Sequence, residues 1–332
     1  PVELVEAVDH RAPDAHPAPL PRLEEGTDYV VYRGDGSRAA LTDLVSALDE
    51  VEVLFLGEEH DDRVGHRVQL EIFRRILVDH GGGGPMAGGA ATPAREGSGP
   101  VRGEFREVVL SLEFFERDVQ VVLDEYLAGL ISEEHFLRSA RPWDNYARDY
   151  RPLVELAKET RIPVVAANAP RRYVNLASRE GREALSALSA EARRFLPPLP
   201  WPEASEAYRA EWDALMGTAA QHISGDPLAG QTLWDAAMGE SIARALAERA
   251  DGAPLVVHLA GGFHLERGTG IPEALDVYRP GTRVRIVAIR TAAEPGRFDP
   301  AHERAGDFVI LTRELPPEEE GRAPAARERA PR

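Results

Sequence analysis

The sequence predicts an α/β protein in which a parallel β-sheet is flanked by helices and accompanied by a smaller all-helical subdomain. Short, nearly continuous apolar runs are typical of strands buried on both faces of a parallel sheet. Longer runs with apolar residues at helical spacing alternate with them, which favours helices packed on the sheet. A length of 332 residues with 43 % apolar residues suffices for one large domain with an ordinary core.

Five strong strand candidates, two weaker ones and four helical runs carry this prediction. The strong strand candidates are Val51–Leu56, Val108–Leu112, Pro163–Ala167, Leu255–Leu259 and Val284–Ile289. The weaker candidates are Tyr29–Tyr32 and Phe308–Leu311. The helical runs are Val64–Asp79, Asp118–Leu130, Tyr146–Thr160 and Thr232–Arg249.

Composition along the chain predicts where the folded domain begins, ends and is interrupted. We expect the α/β domain to span 27–313, after an irregular, Pro-rich segment at 1–26. The stretch 81–104 is dense in Gly, Ala and Pro without apolar periodicity, which predicts a flexible insertion. The strandless stretch 181–229 predicts the helical subdomain. The charged, Pro- and Ala-rich tail at 314–332 predicts disorder.

Composition also argues against several classes of function. A net charge of −17 disfavours a nucleic-acid partner, because nucleic-acid binding needs a cationic face that displaces counterions from phosphates. The absence of cysteine excludes disulfides, thiolate metal sites and Cys nucleophiles. No apolar run approaches the roughly 20 residues that span a bilayer. P-loop, dinucleotide-binding and Gly-x-Ser-x-Gly motifs are missing, which disfavours nucleotide and serine hydrolase chemistry.

Polar residues follow four of the predicted strands. The first strand runs into Gly57–His60, and a later strand runs into a second Gly-x-x-His turn at Gly261–His264. Glu113 and Asn168 follow two further strands. In open parallel sheets ligands bind beyond the carboxyl ends of the strands. We therefore expect these side chains to form one polar site.

These residues predict either a metal site or an acid–base site. Imidazole nitrogen and carboxylate oxygen suit Zn²⁺, Mn²⁺ or Fe²⁺, so Glu58, His60, Glu113 and His264 are candidate ligands of a divalent ion. The candidate catalytic residues are His60, Glu113, His264 and Glu59. His60 is the leading base, since imidazole titrates near neutral pH. The alternative is a hydrogen-bonded cluster that only fixes the two turns.

Two helical segments carry further residues of interest. His66 follows Asp62 by four residues, so it could support the site or bind a ligand, or it could pair with Asp62 on a solvated helix face. Trp234, Asp235 and Met238 lie on one later helical run. Core packing is the default interpretation of Trp234 and Met238.

Eight segments, which follow one another over roughly residues 40–290, form a recognisable pattern. They are Leu56–Asp61 with His66 and Gln69–Leu70, Leu110–Glu116, Tyr126–Gly129, Trp143–Tyr146, Tyr150–Leu153, Ala167–Pro170, Leu233–Met238 and Ala260–His264. Together they resemble the ChaN-like family, iron-regulated lipoproteins with the haem-binding domain of the Tiki superfamily. Two features depart from the family pattern. One is the insertion at 81–104, and the other is the missing lipoprotein cysteine, which puts membrane anchoring in doubt.

The resemblance implies a haem- or iron-binding protein that acts in haem or iron uptake or handling. It implies a tyrosine ligand for ferric haem, with Tyr146 and Tyr150 in the matching stretch and Tyr173 as a weaker third choice. It also implies a homodimer that holds two haems face to face, and a location in the cell envelope. The wider superfamily includes metal-dependent proteases and erythromycin esterase-like enzymes with similar Gly-x-x-His turns. The alternative function is therefore that of a metal-dependent hydrolase of the peptidase or esterase type.

Overall fold

A computed structural model describes residues 22–81, 106–217, 225–249 and 253–315 of the chain. The predicted irregular segment at 1–26, the predicted insertion at 81–104 and the predicted tail at 314–332 lie almost entirely outside these residues. Among the helices described, none is both long and apolar enough to cross a membrane.

An eight-stranded sheet forms the centre of the fold. Its strands are β1 (Tyr29–Arg33), β2 (Arg38–Ala39), β3 (Val53–Glu58), β4 (Val108–Glu116), β5 (Val164–Asn168), β6 (Leu255–Gly261), β7 (Val284–Ala292) and β8 (Phe308–Arg313). The strand order is β2-β1-β8-β7-β3-β6-β4-β5. The predicted strands all occur, and β2 is an addition. All pairs from β8 to β5 are parallel, whereas β1 and β2 form an antiparallel edge.

Helices cover both faces of this sheet, as predicted. They are α1 (Leu41–Ser46), α2 (Arg63–Asp79), α3 (Gln120–Leu127), α4 (Glu133–Ala140), α5 (Tyr146–Asp149), α6 (Arg151–Thr160), α7 (Arg171–Glu180), α8 (Ala190–Arg193), α9 (Glu206–Met216), α10 (Pro227–Ala247) and α11 (Ile271–Tyr278). Alternate residues of β3 point to opposite faces. Leu54 and Leu56 pack in the core that contains α1 to α6, whereas Val53 and Phe55 pack against α10 and α11. This double coverage explains why β3 is buried along its whole length.

The predicted helical run Tyr146–Thr160 is divided into α5 and α6. Tyr150 ends α5 and precedes α6, with φ −103° and ψ −28°. Pro152 lies in the first turn of α6. Proline has no backbone N–H to continue the hydrogen bonds of a preceding helix, but it is tolerated in the first turn of a new one. The division therefore follows from Pro152.

Helices and turns make up the described part of 181–229, where no strand occurs. A 3-10 helix at Arg182–Ala187 precedes α8 and α9. Leu185, Leu196 and Trp201 pack with α7 and the first half of α10 in a small core of their own. The helical character is as expected, and its standing as a subdomain stays a prediction.

Candidate functional site

The carboxyl ends of β3, β6 and β4 lie side by side. Strand β6 is the central one of the three. Glu58 at the end of β3 pairs in register with Gly261 at the end of β6. The backbone N–H of Gly261 donates a hydrogen bond of 2.6 Å to Oε2 of Glu113 on β4. The sheet therefore brings both Gly-x-x-His turns and Glu113 to one place.

Glu58 is the centre of the first turn. Its Oε1 lies 3.0 Å from His60 Nδ1 and accepts a 2.5 Å hydrogen bond from the Tyr150 hydroxyl. Its Oε2 accepts a 2.7 Å hydrogen bond from Gln69. Burial would raise the pKa of Glu58, but these bonds and the charge of His66 outweigh it and lower the pKa. Glu58 is thus a buried carboxylate that orients His60.

The His60 ring lies at the surface of this cluster. Its side chain is 48 % exposed, and its ring packs edge-on against Trp143 with centroids 4.6 Å apart. Its backbone carbonyl accepts hydrogen bonds from Asn145 at 2.7 Å and from His66 Nε2 at 3.1 Å. Burial opposes protonation, but the bond to Glu58 and the charge of Glu113 raise the pKa of His60. Solvent and ligands can therefore reach an oriented, basic imidazole.

His264, in the second turn, lies between two carboxylates. Its Nδ1 is 2.6 Å from Asp235 Oδ1, and its Nε2 is 3.5 Å from Glu113 Oε1. The Tyr208 hydroxyl donates to the other Asp235 oxygen at 2.6 Å. Burial opposes the charged form, but Glu113 and Asp235 outweigh it and raise the pKa of His264 to about 9. His264 is therefore an imidazolium at neutral pH.

Glu113 joins the two turns. A methyl group added at Gly261 would lie 3.0 Å from Cε1 and Nε2 of His60 and 3.7 Å from Oε2 of Glu113. Glu113 also approaches His264. The predicted group of His60, Glu113 and His264 is thus assembled, and Gly261 leaves the space in which the His60 ring lies.

Glu59 lies apart from this group. Its Oε2 accepts hydrogen bonds from the backbone N–H of Thr291 at 3.1 Å and from the Thr291 hydroxyl at 2.5 Å. Its Oε1 lies 3.4 Å from Arg290, which also binds Glu266. Glu59 was predicted to be catalytic, but this structure directs it to β7 rather than to His60.

His66 is buried and supports the first turn. Its ring bonds to Gln69 and to the His60 carbonyl. The alternative of a solvated pair with Asp62 does not hold, because Asp62 instead caps α2 and accepts from Thr312. Among the residues described, no group of three or more His, Asp or Glu side chains is arranged to hold a metal ion. The four predicted metal ligands instead bind one another or neighbouring polar groups.

Comparison with known proteins places this arrangement in a family. A sequence model described as "Haem-binding uptake, Tiki superfamily, ChaN" matches residues 44–275, more than half of the chain. The chain belongs to this ChaN family. No curated protein sequence matches it.

A solved structure from Campylobacter jejuni shares the fold of this ChaN-family chain. The structure described as cofacial haem binding to ChaN of Campylobacter jejuni has a TM-score of 0.59 and 16 % identity, and covers 88 % of this chain and 99 % of that one. The structure of the type III effector HopBA1 has a TM-score of 0.42 and 13 % identity, and covers 83 % of this chain and 94 % of that one. A mutant of the erythromycin esterase EreC in its open conformation has a TM-score of 0.42 and 9 % identity, and covers 79 % of this chain and 77 % of that one. At 16 % identity the likeness to the Campylobacter jejuni chain concerns the fold alone.

The two tyrosines predicted to bind haem in this ChaN-family chain are both buried. Tyr146 is 2 % exposed, and its hydroxyl has no hydrogen-bond partner among the residues described. Phe114, Phe115 and Phe136 surround its ring. Tyr150 donates its hydroxyl to Glu58. Burial raises the pKa of both tyrosines, and nearby carboxylates raise it further. Neither phenol is presented to a ligand in this conformation.

Tyr173 has different surroundings. It lies in the first turn of α7, after β5, and is only partly buried. Arg172 donates a hydrogen bond of 3.3 Å to its hydroxyl, with the guanidinium carbon 4.4 Å from the ring centroid. Of the three tyrosines, Tyr173 is therefore the one that is not buried in the core.

Sequence reasoning missed the residues that orient His264. Asp235 on α10 and Tyr208 on α9 are both buried and bond to each other. A carboxylate within the apolar segment Leu233–Met238 was the available signal for Asp235, because a buried charge needs a partner. No signal in the sequence marks Tyr208. The Asn168 side chain accepts a hydrogen bond from the Ala169 N–H and makes none to the histidines among the residues described.

Proposed function

We propose that this protein binds haem and serves in haem or iron uptake or handling. The observation that carries the proposal is the family match over residues 44–275. The shared fold with a Campylobacter jejuni chain described as binding haem cofacially supports it. A net charge of −17 makes an extended anionic partner such as nucleic acid a poor alternative.

The haem ligand in this proposal is a tyrosine. Tyr146 and Tyr150 lie in the segment that resembles the family, but either would need its helix to move before a porphyrin could reach the phenol. Tyr173 needs no such opening, and its hydroxyl already accepts from a guanidinium. We therefore rank Tyr173 first. A bound ferric haem would supply an iron atom for the phenolate to ligate.

Hemin titration followed by visible absorption tests the proposal. We expect saturable binding with a shifted Soret band, and Tyr173→Phe should weaken it by at least about tenfold, equivalent to about 1.4 kcal/mol. Tyr32→Phe is the matched control, because its hydroxyl bonds to Pro295 near the opposite edge of the sheet. If wild-type protein shows no saturable binding, haem handling is the wrong function. If only Tyr146→Phe or Tyr150→Phe changes the spectrum, the ranking is wrong.

Haem binding in this proposal also produces a homodimer with two haems face to face. Sedimentation measured with and without one equivalent of hemin tests this point. We expect the mass to double when haem is added. A monomer at saturating haem would contradict the dimer while leaving haem binding intact.

A second candidate function is hydrolysis of a peptide- or ester-type bond. The observation that favours it is that an accessible His60 and a buried His264 both lie near Glu113 and are each oriented by a carboxylate. An accessible imidazole held by Glu58 could take a proton from water, and a charged His264 could stabilise a developing oxyanion. A divalent ion at the same place would have to replace hydrogen bonds that Glu58 and Glu113 now make.

Turnover of p-nitrophenyl acetate and of a mixed peptide library tests this candidate. We expect His60→Gln and His264→Gln each to lower turnover by about 10²- to 10⁴-fold. Glu59→Gln is the matched control, since Glu59 binds β7. Loss of turnover in a chelator would assign the site to a metal ion. Turnover that both histidine variants retain would exclude this site as its source.

A further inference from the structure

Arg171 is an exposed arginine that makes no ion pair within the described part of a strongly acidic protein. The chain has 56 Asp and Glu against 39 Lys and Arg, so cationic side chains readily find carboxylates. Its neighbour Arg172 pairs with Asp118, and Arg141 pairs with both Glu116 and Asp118. The exposed side chain of Arg171 makes no ion pair with any residue described. Arg74 and Arg161 are also exposed and make no ion pair with any residue described, so it is the surroundings of Arg171 that distinguish it.

The Arg171 side chain lies over an indole. Its guanidinium carbon is 5.9 Å from the centroid of the Trp234 ring. The backbone N–H of Arg171 donates to Glu116 Oε1 at 3.1 Å, which fixes the start of α7. Trp234 is only partly buried. A guanidinium within cation–π distance of a partly buried indole offers a cationic group and a planar apolar surface side by side.

This pair adjoins the polar site. The Trp234 ring meets the His264 ring edge-on, with centroids 6.3 Å apart. Tyr173 lies two residues after Arg171 in the same turn of α7, and both Tyr173 and Trp234 pack on the same small core. The subsite thus adjoins His264 through Trp234, and Tyr173 lies on the same helix as Arg171.

We propose that Arg171 and Trp234 form a subsite for a flat aromatic ligand that carries a carboxylate. Trp234 packs against the ring system, and Arg171 donates paired hydrogen bonds to the carboxylate. The inference rests on the proposed haem function for its ligand, since a porphyrin bears carboxylates at its edge. It assigns the carboxylate end of that ligand to a residue outside the two Gly-x-x-His turns.

Hemin and hemin dimethyl ester separate the carboxylate contact from the rest of binding. We expect Arg171→Gln to weaken hemin binding by about ten- to a hundredfold, as for loss of a charge-assisted hydrogen bond. The same variant should bind the dimethyl ester as wild type does. Arg179→Gln is the matched control, because Arg179 is exposed at the other end of α7 and pairs with Glu180. Trp234→Leu should weaken binding of both ligands.

Equal behaviour of Arg171→Gln and wild type toward hemin would overturn the subsite while leaving haem binding in place. Equal weakening of hemin and its diester by Arg171→Gln would also overturn it, because the carboxylate would then be irrelevant. Iron-free protoporphyrin IX separates this inference from the tyrosine ligand. Arg171-dependent binding of protoporphyrin IX without any hemin ligation would support the subsite and reject the haem function. Absence of binding to both porphyrins would reject both.

Discussion

The two Gly-x-x-His turns look alike in sequence but hold their histidines in different surroundings. The His60 side chain is 48 % exposed and bonds to one carboxylate. The His264 side chain is 8 % exposed and lies between two. A buried tyrosine donates to the orienting carboxylate in each turn, Tyr150 in the first and Tyr208 in the second. The motif therefore fixes where an imidazole lies, while the residues around it fix its charge and its access to solvent.

The two turns should differ most in how much the free energy of unfolding falls when the histidine is removed. His264→Ala leaves Asp235 and Glu113 buried without their cation, and we expect a loss of about 3–5 kcal/mol in the free energy of unfolding. His60→Ala removes a half-exposed ring and should cost about 1 kcal/mol or less. Urea unfolding of both variants measures this. Equal losses would mean that the two turns are energetically equivalent.

The pH dependence of stability should belong mainly to the second turn. The pKa of His264 is raised from 6.5 to about 9 in the folded state, so folding favours its protonated form. The resulting stability is fully present below about pH 6.5 and is lost as the pH rises through about 9. Wild type should have a larger free energy of unfolding than His264→Gln at low pH, and we expect this difference to fall by up to about 3 kcal/mol across the interval. A pH-independent difference would show that His264 is neutral when folded.

The glycines that open the turns provide a third comparison. A methyl group at Gly57 would lie 2.9 Å from Leu265 Cδ1 and 3.4 Å from the Val287 carbonyl, inside the sheet. At Gly261 it would meet the half-exposed His60 ring, which can move. We expect Gly57→Ala to cost about 1–3 kcal/mol. Gly261→Ala should cost less but shift the NMR signals of His60. An unchanged His60 spectrum would contradict the proposed contact.

Substitution of Glu59, the neighbour of Glu58 in the first turn, should have the smallest effect on the free energy of unfolding and on the histidine pKa values. Glu59→Gln removes a part-exposed ion pair with Arg290, so we expect a loss of about 1 kcal/mol or less. The NMR titration curves of His60 and His264 should stay unchanged. Glu58→Gln, in contrast, should lower the pKa of His60, because it replaces the carboxylate that holds the imidazolium. A shifted His60 titration in Glu59→Gln would place Glu59 in the site after all.

Much of the fold could be predicted because its signals are local. Buried strands such as β3 and β6 are continuous apolar runs, and the ends of parallel strands meet at one edge. For this reason the sequence alone predicts that His60, Glu113 and His264 lie close together. The antiparallel pairing of β1 with β8 joins the two ends of the domain, and strand periodicity does not encode such long-range partners.

The rest of the site depends on contacts between distant segments. Asp235 and Tyr208 reach His264 from α10 and α9, and neither helix adjoins the turn in sequence. Glu58 and Glu59 are adjacent in sequence, so their side chains take opposite directions, but only the sheet order tells which one faces His60. Tyr146 and Tyr150 are four residues apart and share one face of their segment, which in this chain is the core face.

Each histidine in the site has a tryptophan of its own. The Trp143 ring lies 4.6 Å from the His60 ring, and the Trp234 ring lies 6.3 Å from the His264 ring. A protonated imidazole quenches the fluorescence of an indole that it contacts. A variant that keeps only Trp234 of the four tryptophans should therefore brighten as the pH passes the pKa of about 9 of His264. One that keeps only Trp143 would report on His60, so the emission of the protein can follow either turn without an added dye.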